Sequence, residues 1–210
     1  AILHFAKIAD LNEELKKRVL NRRETNQQAL AAFQRCDKYQ LRYDIDHMFG
    51  LPGESEADHI NALQYYSQLK YLNRIKCHNL TFFPETAIIE TACEQGSLDS
   101  ADMERICQGE ITDFFHGDFI KDRSLKVAKE NFSKYFKLLP VIPEGVVTAS
   151  IRFRLYRLVR FIPSPLIILG QLLVAAKGRD YRFIIYLKYY PLRIQRAIKA
   201  KLARPRRSAT

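Results

Sequence analysis

The stretch Asp44-Ile45-Asp46-His47-Met48-Phe49-Gly50-Leu51-Pro52-Gly53-Glu54-Ser55 decides how this chain is read. An apolar run of strand character stops at a Gly-Leu-Pro-Gly turn, and Ser55 with Asp58 three residues on forms a capping box that opens a helix. Such a strand-turn-helix is half of a parallel βα unit, and the carboxyl edge of a parallel sheet is where α/β folds bind ligands. The two glycines let a ligand approach the backbone. The turn contains neither G-x-G-x-x-G nor G-x-x-x-x-G-K, so it is not a phosphate cradle, and a plain βα turn with a good cap is the competing reading.

Working outward, the chain opens without Met inside an apolar strand, Ile2 to Ile8, which reads as the interior of a longer protein. A short helix over Asn12 to Leu20 follows, then a capping box at Thr25-Asn26-Gln27-Gln28 heads a helix through Ala29, Ala32, Phe33 and Cys36, and Leu41 to Phe49 forms the second strand. Beyond the turn, Ile60, Leu63, Tyr66 and Leu69 mark a helix to about Leu72, and Ile75 to Phe83 makes a third strand ended by Pro84. Strand and helix alternating at this spacing predict right-handed parallel βαβ units. Three apolar parallel strands need neighbours on both sides, so the expected partner strands lie before residue 1.

Helices are expected at Ala87 to Glu94, from Asp99 or Ser100 to about Phe115, and from Ser124 to Leu138, with a boundary at Pro140 and Pro143. In the remainder, Ile151, Leu155, Leu158, Val159 and Ile162 fall on one helical face, Leu166 to Ala176 is an apolar run too short to span a bilayer, and Tyr181 to Ala203 forms a helix kinked at Pro191.

At 210 residues and 47% apolar content the chain has ample material for a core. Cys36, Cys77, Cys93 and Cys107 match no short metal-binding spacing, and no secretory signal is present, so reduced thiols in the cytoplasm are expected. The charge is divided. Residues 1–140 carry 19 Lys and Arg against 21 Asp and Glu, whereas residues 141–210 carry 15 against 2.

Four ordered landmarks carry a family resemblance: Asn12-Glu13-Glu14-Leu15, Val19-Leu20-Asn21-Arg22-Arg23-Glu24-Thr25, Asp46 through Glu56, and Leu80-Thr81-Phe82-Phe83-Pro84-Glu85-Thr86. Together they resemble the second half of the radical SAM barrel, closest to the cobalamin-binding subgroup and more distantly to oxygen-independent coproporphyrinogen oxidases. The resemblance implies a fold class of α/β, the second half of a partial (β/α) barrel followed by a helical C-terminal region. Residues 1–95 would be the half-barrel, 96–140 a helical extension and 141–210 a basic helical tail.

The same resemblance implies a pocket for S-adenosylmethionine. Arg22, with Arg23 as alternative, would bind the methionyl carboxylate bidentately, and Asp46 would accept the ribose hydroxyls. Met48, Phe49, Gly50, Thr81 and Phe82 would flank the adenine, with ordinary sheet core as the alternative for Met48 and Phe82. Catalytic residues are not assigned. The chain departs from the family at Ala9-Asp10, where a Gln commonly precedes a small polar residue, and at Pro84-Glu85-Thr86, where Pro-Gly-Thr is usual. The C-x-x-x-C-x-x-C loop that holds the [4Fe–4S] cluster is not in this sequence, so the cluster ligands and any cobalamin domain would lie outside it, and these residues alone would not perform the radical step.

His47, beside Asp46 on the strand, is a candidate for the pocket or for the core, and His4, His59, His78 and His116 show no ligand spacing. The enzyme reading expects a small-molecule or lipid-like substrate and the N-terminal half of the same protein. The competing reading is a non-catalytic peripheral membrane or adaptor protein. Its basic stretch, residues 151–204, would lie on anionic lipid at the inner membrane face, while a solvated helical bundle ranks ahead of lipid and nucleic acid ranks last.

Overall fold

A computed structural model of the chain describes residues 2–3, 11–109, 120–181, 184–185, 187–189, 191–192 and 195. Most of the expected first strand and of the last tail helix therefore lies outside the described residues. Three parallel strands run in the order β1-β2-β3: β1 is Ile2–Leu3, β2 is Arg42–Phe49 and β3 is Leu72–Asn79. Helices α1 (Glu13–Leu20) and α2 (Asn26–Lys38) join β1 to β2, and α3 (Glu56–Ser67) joins β2 to β3. Then come α4 (Ala87–Glu94), α5 (Ser100–Cys107) and α6 (Arg123–Leu138). A 3-10 turn at Leu139–Val141, α7 (Glu144–Arg152), a 3-10 segment at Leu155–Phe161 and α8 (Ser164–Lys177) complete the described chain. The fold is mixed α/β with a parallel sheet, as expected.

The helix starts follow from their caps. Asn12 accepts from the Leu15 amide, and reciprocal capping boxes close at Thr25/Gln28, Ser55/Asp58 and Asp99/Asp102. Several bounds differ from expectation: α5 stops at Cys107 and not near Phe115, and β3 begins at Leu72 and not at Ile75. Helix α3 stops at Ser67, because the chain must turn before pairing Leu72 with Tyr43, and β3 stops at Asn79 opposite Phe49, where its neighbour β2 ends. Leu80 to Phe83 therefore runs on past the sheet, with the Leu80 amide bonded back to the Phe49 carbonyl at 2.8 Å.

The two-residue alternation of β2 sorts the interior. Tyr43, Ile45, His47 and Phe49 are buried, whereas Asp46 and Met48 on the opposite face are partly exposed. Helices α2, α3 and α6 all supply aromatic rings to the buried face: Phe33 stacks on Tyr43 at 4.8 Å, Tyr66 lies 5.8 Å from His47, and Phe136 lies 4.8 Å from His47 and 6.0 Å from Phe49. Residues beyond Pro143 join the same core, through Val147 of α7 and through Tyr156, which stacks on Phe132 at 5.1 Å. To bring Tyr156 inward the chain leaves the α-helix at Phe153 and passes through a left-handed Arg154, so the single amphipathic helix expected over Ile151 to Ile162 is instead α7 followed by a 3-10 segment.

Phe136 touches both sheet and helices and is fully buried. Phe136→Ala is expected to lower unfolding stability by about 3–5 kcal/mol, the range for emptying an aromatic site in a core, read as a shifted urea midpoint.

Candidate functional site

The turn after β2 is built from its own residues. The Glu54 amide donates to the Leu51 carbonyl at 2.9 Å, with Pro52 and a left-handed Gly53 at φ +81° between them, which is a type II turn with each residue at its favoured place. Gly50, also left-handed at φ +83°, turns its amide back to donate to the Glu54 carboxylate at 2.6 Å. Side-chain atoms of Arg18 and Gln95 lie within 3 Å of where a Cβ on Gly53 would sit. Helix α1 and the end of α4 thus close directly on the turn.

The turn forms one wall of a cavity of about 270 Å³ at the carboxyl edge of β2 and β3, lined by Phe49, Gly50, Glu54, His59, Phe82 and Lys121 among others. Two of its lining residues, Glu54 and His59, join His47 behind them in the one converging set of metal-type ligands among the described residues, all three buried, with donor atoms within 4.8 Å of one another. His59 Nδ1 lies 3.7 Å from the Glu54 carboxylate, and His47 Nδ1 meets the Tyr66 hydroxyl at 3.1 Å. His47 Nε2 and His59 Nδ1 are shielded from solvent without a hydrogen bond. Two imidazoles and a carboxylate suit zinc or ferrous iron by type, but a tetrahedral ion needs its donors about 3.4 Å apart, so the trio would have to draw together to hold one.

Burial, with a smaller contribution from neighbouring His59, holds His47 well below its ordinary pKa. Burial likewise pushes His59 down to about 4, against the opposing pull of Asp58 and Glu56. Both rings are therefore neutral at pH 7.

The opposite face of the sheet is an ion-pair ladder in which acidic β2 lies against basic β3. Asp44 stands opposite Arg74, Asp46 opposite Lys76 and Met48 opposite His78. Buried Asp44 accepts from Asn73 at 2.7 Å and from Arg74 at 2.8 Å. Asp46 reaches Lys76 and His78 at 3.7 and 3.6 Å, and its Oδ1 is shielded yet makes no hydrogen bond.

The residues expected to form a cofactor pocket are divided between these places. Phe49 and Gly50 line the cavity, together with Phe82. Asp46 belongs to the ladder, Met48 packs beside Leu15, Val19 and Leu51, Arg22 follows α1 and reaches Glu24 at 3.5 Å, and Thr81 is half-buried beyond β3. His47 turns into the aromatic core and not toward the cavity. Glu54 and His59 were not legible as site residues. Their signal was parity: His47 shares the inward parity of Phe49, and His59, Leu63 and Tyr66 form the buried stripe of α3. Cys36 and Cys77 are half-buried, Cys93 and Cys107 are exposed, and burial pushes the Cys77 thiol up to about 12.

Gly53→Ala is expected to cost about 1–2 kcal/mol, because a side chain is placed at positive φ against Arg18 and Gln95, and denaturant unfolding reads this directly. The histidines give a pH dependence whose sign is fixed. Since the folded pKa lies below the unfolded value near 6.5, the unfolded chain takes up protons first, and stability present above that pH is lost as pH falls toward about 4. The His59 contribution is about 3 kcal/mol, and a His59→Gln variant is expected to flatten the slope of stability between those pH values.

Comparison with models of protein families, with curated proteins and with solved structures finds no match to this chain.

Proposed function

We propose that these residues form the S-adenosylmethionine side of a radical SAM enzyme, as the C-terminal portion of its barrel. The observation that carries the reading is the asymmetry of the sheet. The three described strands follow one another in sequential order. Three helices pack on one face, and the other face presents a partly exposed charged ladder. Both faces of a parallel sheet are ordinarily covered and apolar, so a charged face that α1 covers only near Met48 supports a polar ligand-binding interior on that side.

On this reading the partly exposed Asp46 carboxylate accepts the ribose hydroxyls, and Arg22 takes the methionyl carboxylate. Phe49 and the Gly50 backbone flank the base at the strand end, Met48 and Thr81 complete its apolar surroundings, and the substrate lies across the same face. A [4Fe–4S] cluster would supply the radical step, and it would be held by cysteines outside these residues, because among the described residues no three thiols converge. Cobalamin would likewise bind elsewhere in the protein.

The test uses the full-length protein. Arg22→Ala and Asp46→Ala are each expected to weaken S-adenosylmethionine binding by on the order of 1–3 kcal/mol in calorimetric titration. Wild-type affinity in both variants, or an upstream coding sequence without C-x-x-x-C-x-x-C, overturns the reading.

A further inference from the structure

Helix α8 is apolar along nearly its whole length, yet it is not a core helix. Leu166, Leu169 and Leu173, at i, i+3 and i+7, are each more than half exposed, while Ile167, Val174 and Ala175 face inward. The preceding 3-10 segment turns Leu155, Leu158 and Phe161 outward, in line with its three-residue period, and buries Tyr156. The two segments meet at 111°, so two rows of large apolar side chains lie along the arms of one bend. Six large apolar side chains exposed by about half or more within twenty residues are a concentration that single scattered surface leucines do not make.

The charges around the bend select its occupant. Arg152 and Arg154 are exposed at its start, the Arg160 guanidinium lies 4.6 Å over the Phe161 ring, and Lys177 and Arg179 are exposed at its end. The stretch 141–210 as a whole holds 15 Lys and Arg against 2 Asp and Glu. A second copy of this chain would bring the same cations against themselves, which opposes self-association. A layer that is anionic outside and hydrocarbon beneath accepts both features together. Among the described residues no single helix is long and apolar enough to cross a membrane; Leu155–Phe161 and Ser164–Lys177 together have the length and composition but are bent by 111°. A 14-residue helix reaches about 21 Å, less than the roughly 30 Å of a hydrocarbon core.

We infer that the bend from Leu155 to Lys177 docks on the surface of an anionic lipid bilayer. The leucine rows sink to the boundary between headgroups and acyl chains, and the arginines and lysines reach up to lipid phosphates. This inference does not depend on the cofactor reading above.

Vesicle flotation of the purified chain tests it, using phosphatidylcholine vesicles with and without phosphatidylglycerol. The chain is expected to float with the phosphatidylglycerol vesicles at low salt and less so at high salt. Leu169→Asp with Leu173→Asp is expected to reduce the bound fraction at least about tenfold, and because both leucines are exposed the thermal melt should not move. Arg152→Glu with Arg154→Glu is expected to weaken binding to anionic vesicles alone. Failure to float with either vesicle type, or flotation unaffected by the leucine substitutions, overturns the inference. So does a dimer in analytical ultracentrifugation that the same leucine substitutions dissociate, which would assign the surface to a second copy.

Discussion

The pleat of β2 is the constraint on which the rest of the molecule depends. Because successive side chains point to opposite faces, one eight-residue strand is at once the floor of an aromatic core and the acidic rail of a charged ladder. A slip of one residue would drive Asp44 and Asp46 among Phe33, Phe132 and Phe136 and expel Tyr43 and Ile45 to solvent, so the register is heavily enforced. Parallel pairing with β3 adds to this, since each acid then meets a base directly opposite.

The turn after β2 converts that register into a site. Three backbone requirements are met by residues within five positions: a left-handed Gly50, a proline and a left-handed Gly53, closed by the carboxylate of the next residue, Glu54. One oxygen of Glu54 fastens the turn and the other faces His59, so shape and electrostatics at the cavity wall share a single side chain. The neutrality of the neighbouring imidazoles follows from their burial.

The elements that were legible in the sequence are those fixed by local chemistry. The caps at Asn12, Thr25, Ser55 and Asp99, the strand Arg42–Phe49 and the helices α4 and α6 all depend on residues near one another in the chain. The ends of α3 and β3 were not legible, because they are set by which residue of the neighbouring strand is available to pair. The break at Arg154 was hidden for a similar reason: the period of Ile151, Leu155, Leu158 and Val159 fits a continuous helix, and the stacking of Tyr156 on Phe132 overrides it. The trio of His47, Glu54 and His59 was obscured by its division among a strand, a turn and a helix, although the parity of each element already pointed the two histidines inward.

Glu56 ties these parts together. It sits in the first turn of α3, just after the Gly-Leu-Pro-Gly turn, and it accepts from the Tyr156 hydroxyl at 3.1 Å while Arg157 grips it at 3.2 and 2.8 Å. Those contacts hold its carboxyl below the ordinary value despite partial burial. The helix that leaves the cavity and the segment that bears the outward leucines are therefore pinned at one point, like two levers on a common axle. Any surface that fixes the attitude of the leucine rows also fixes the direction in which the mouth of the cavity opens.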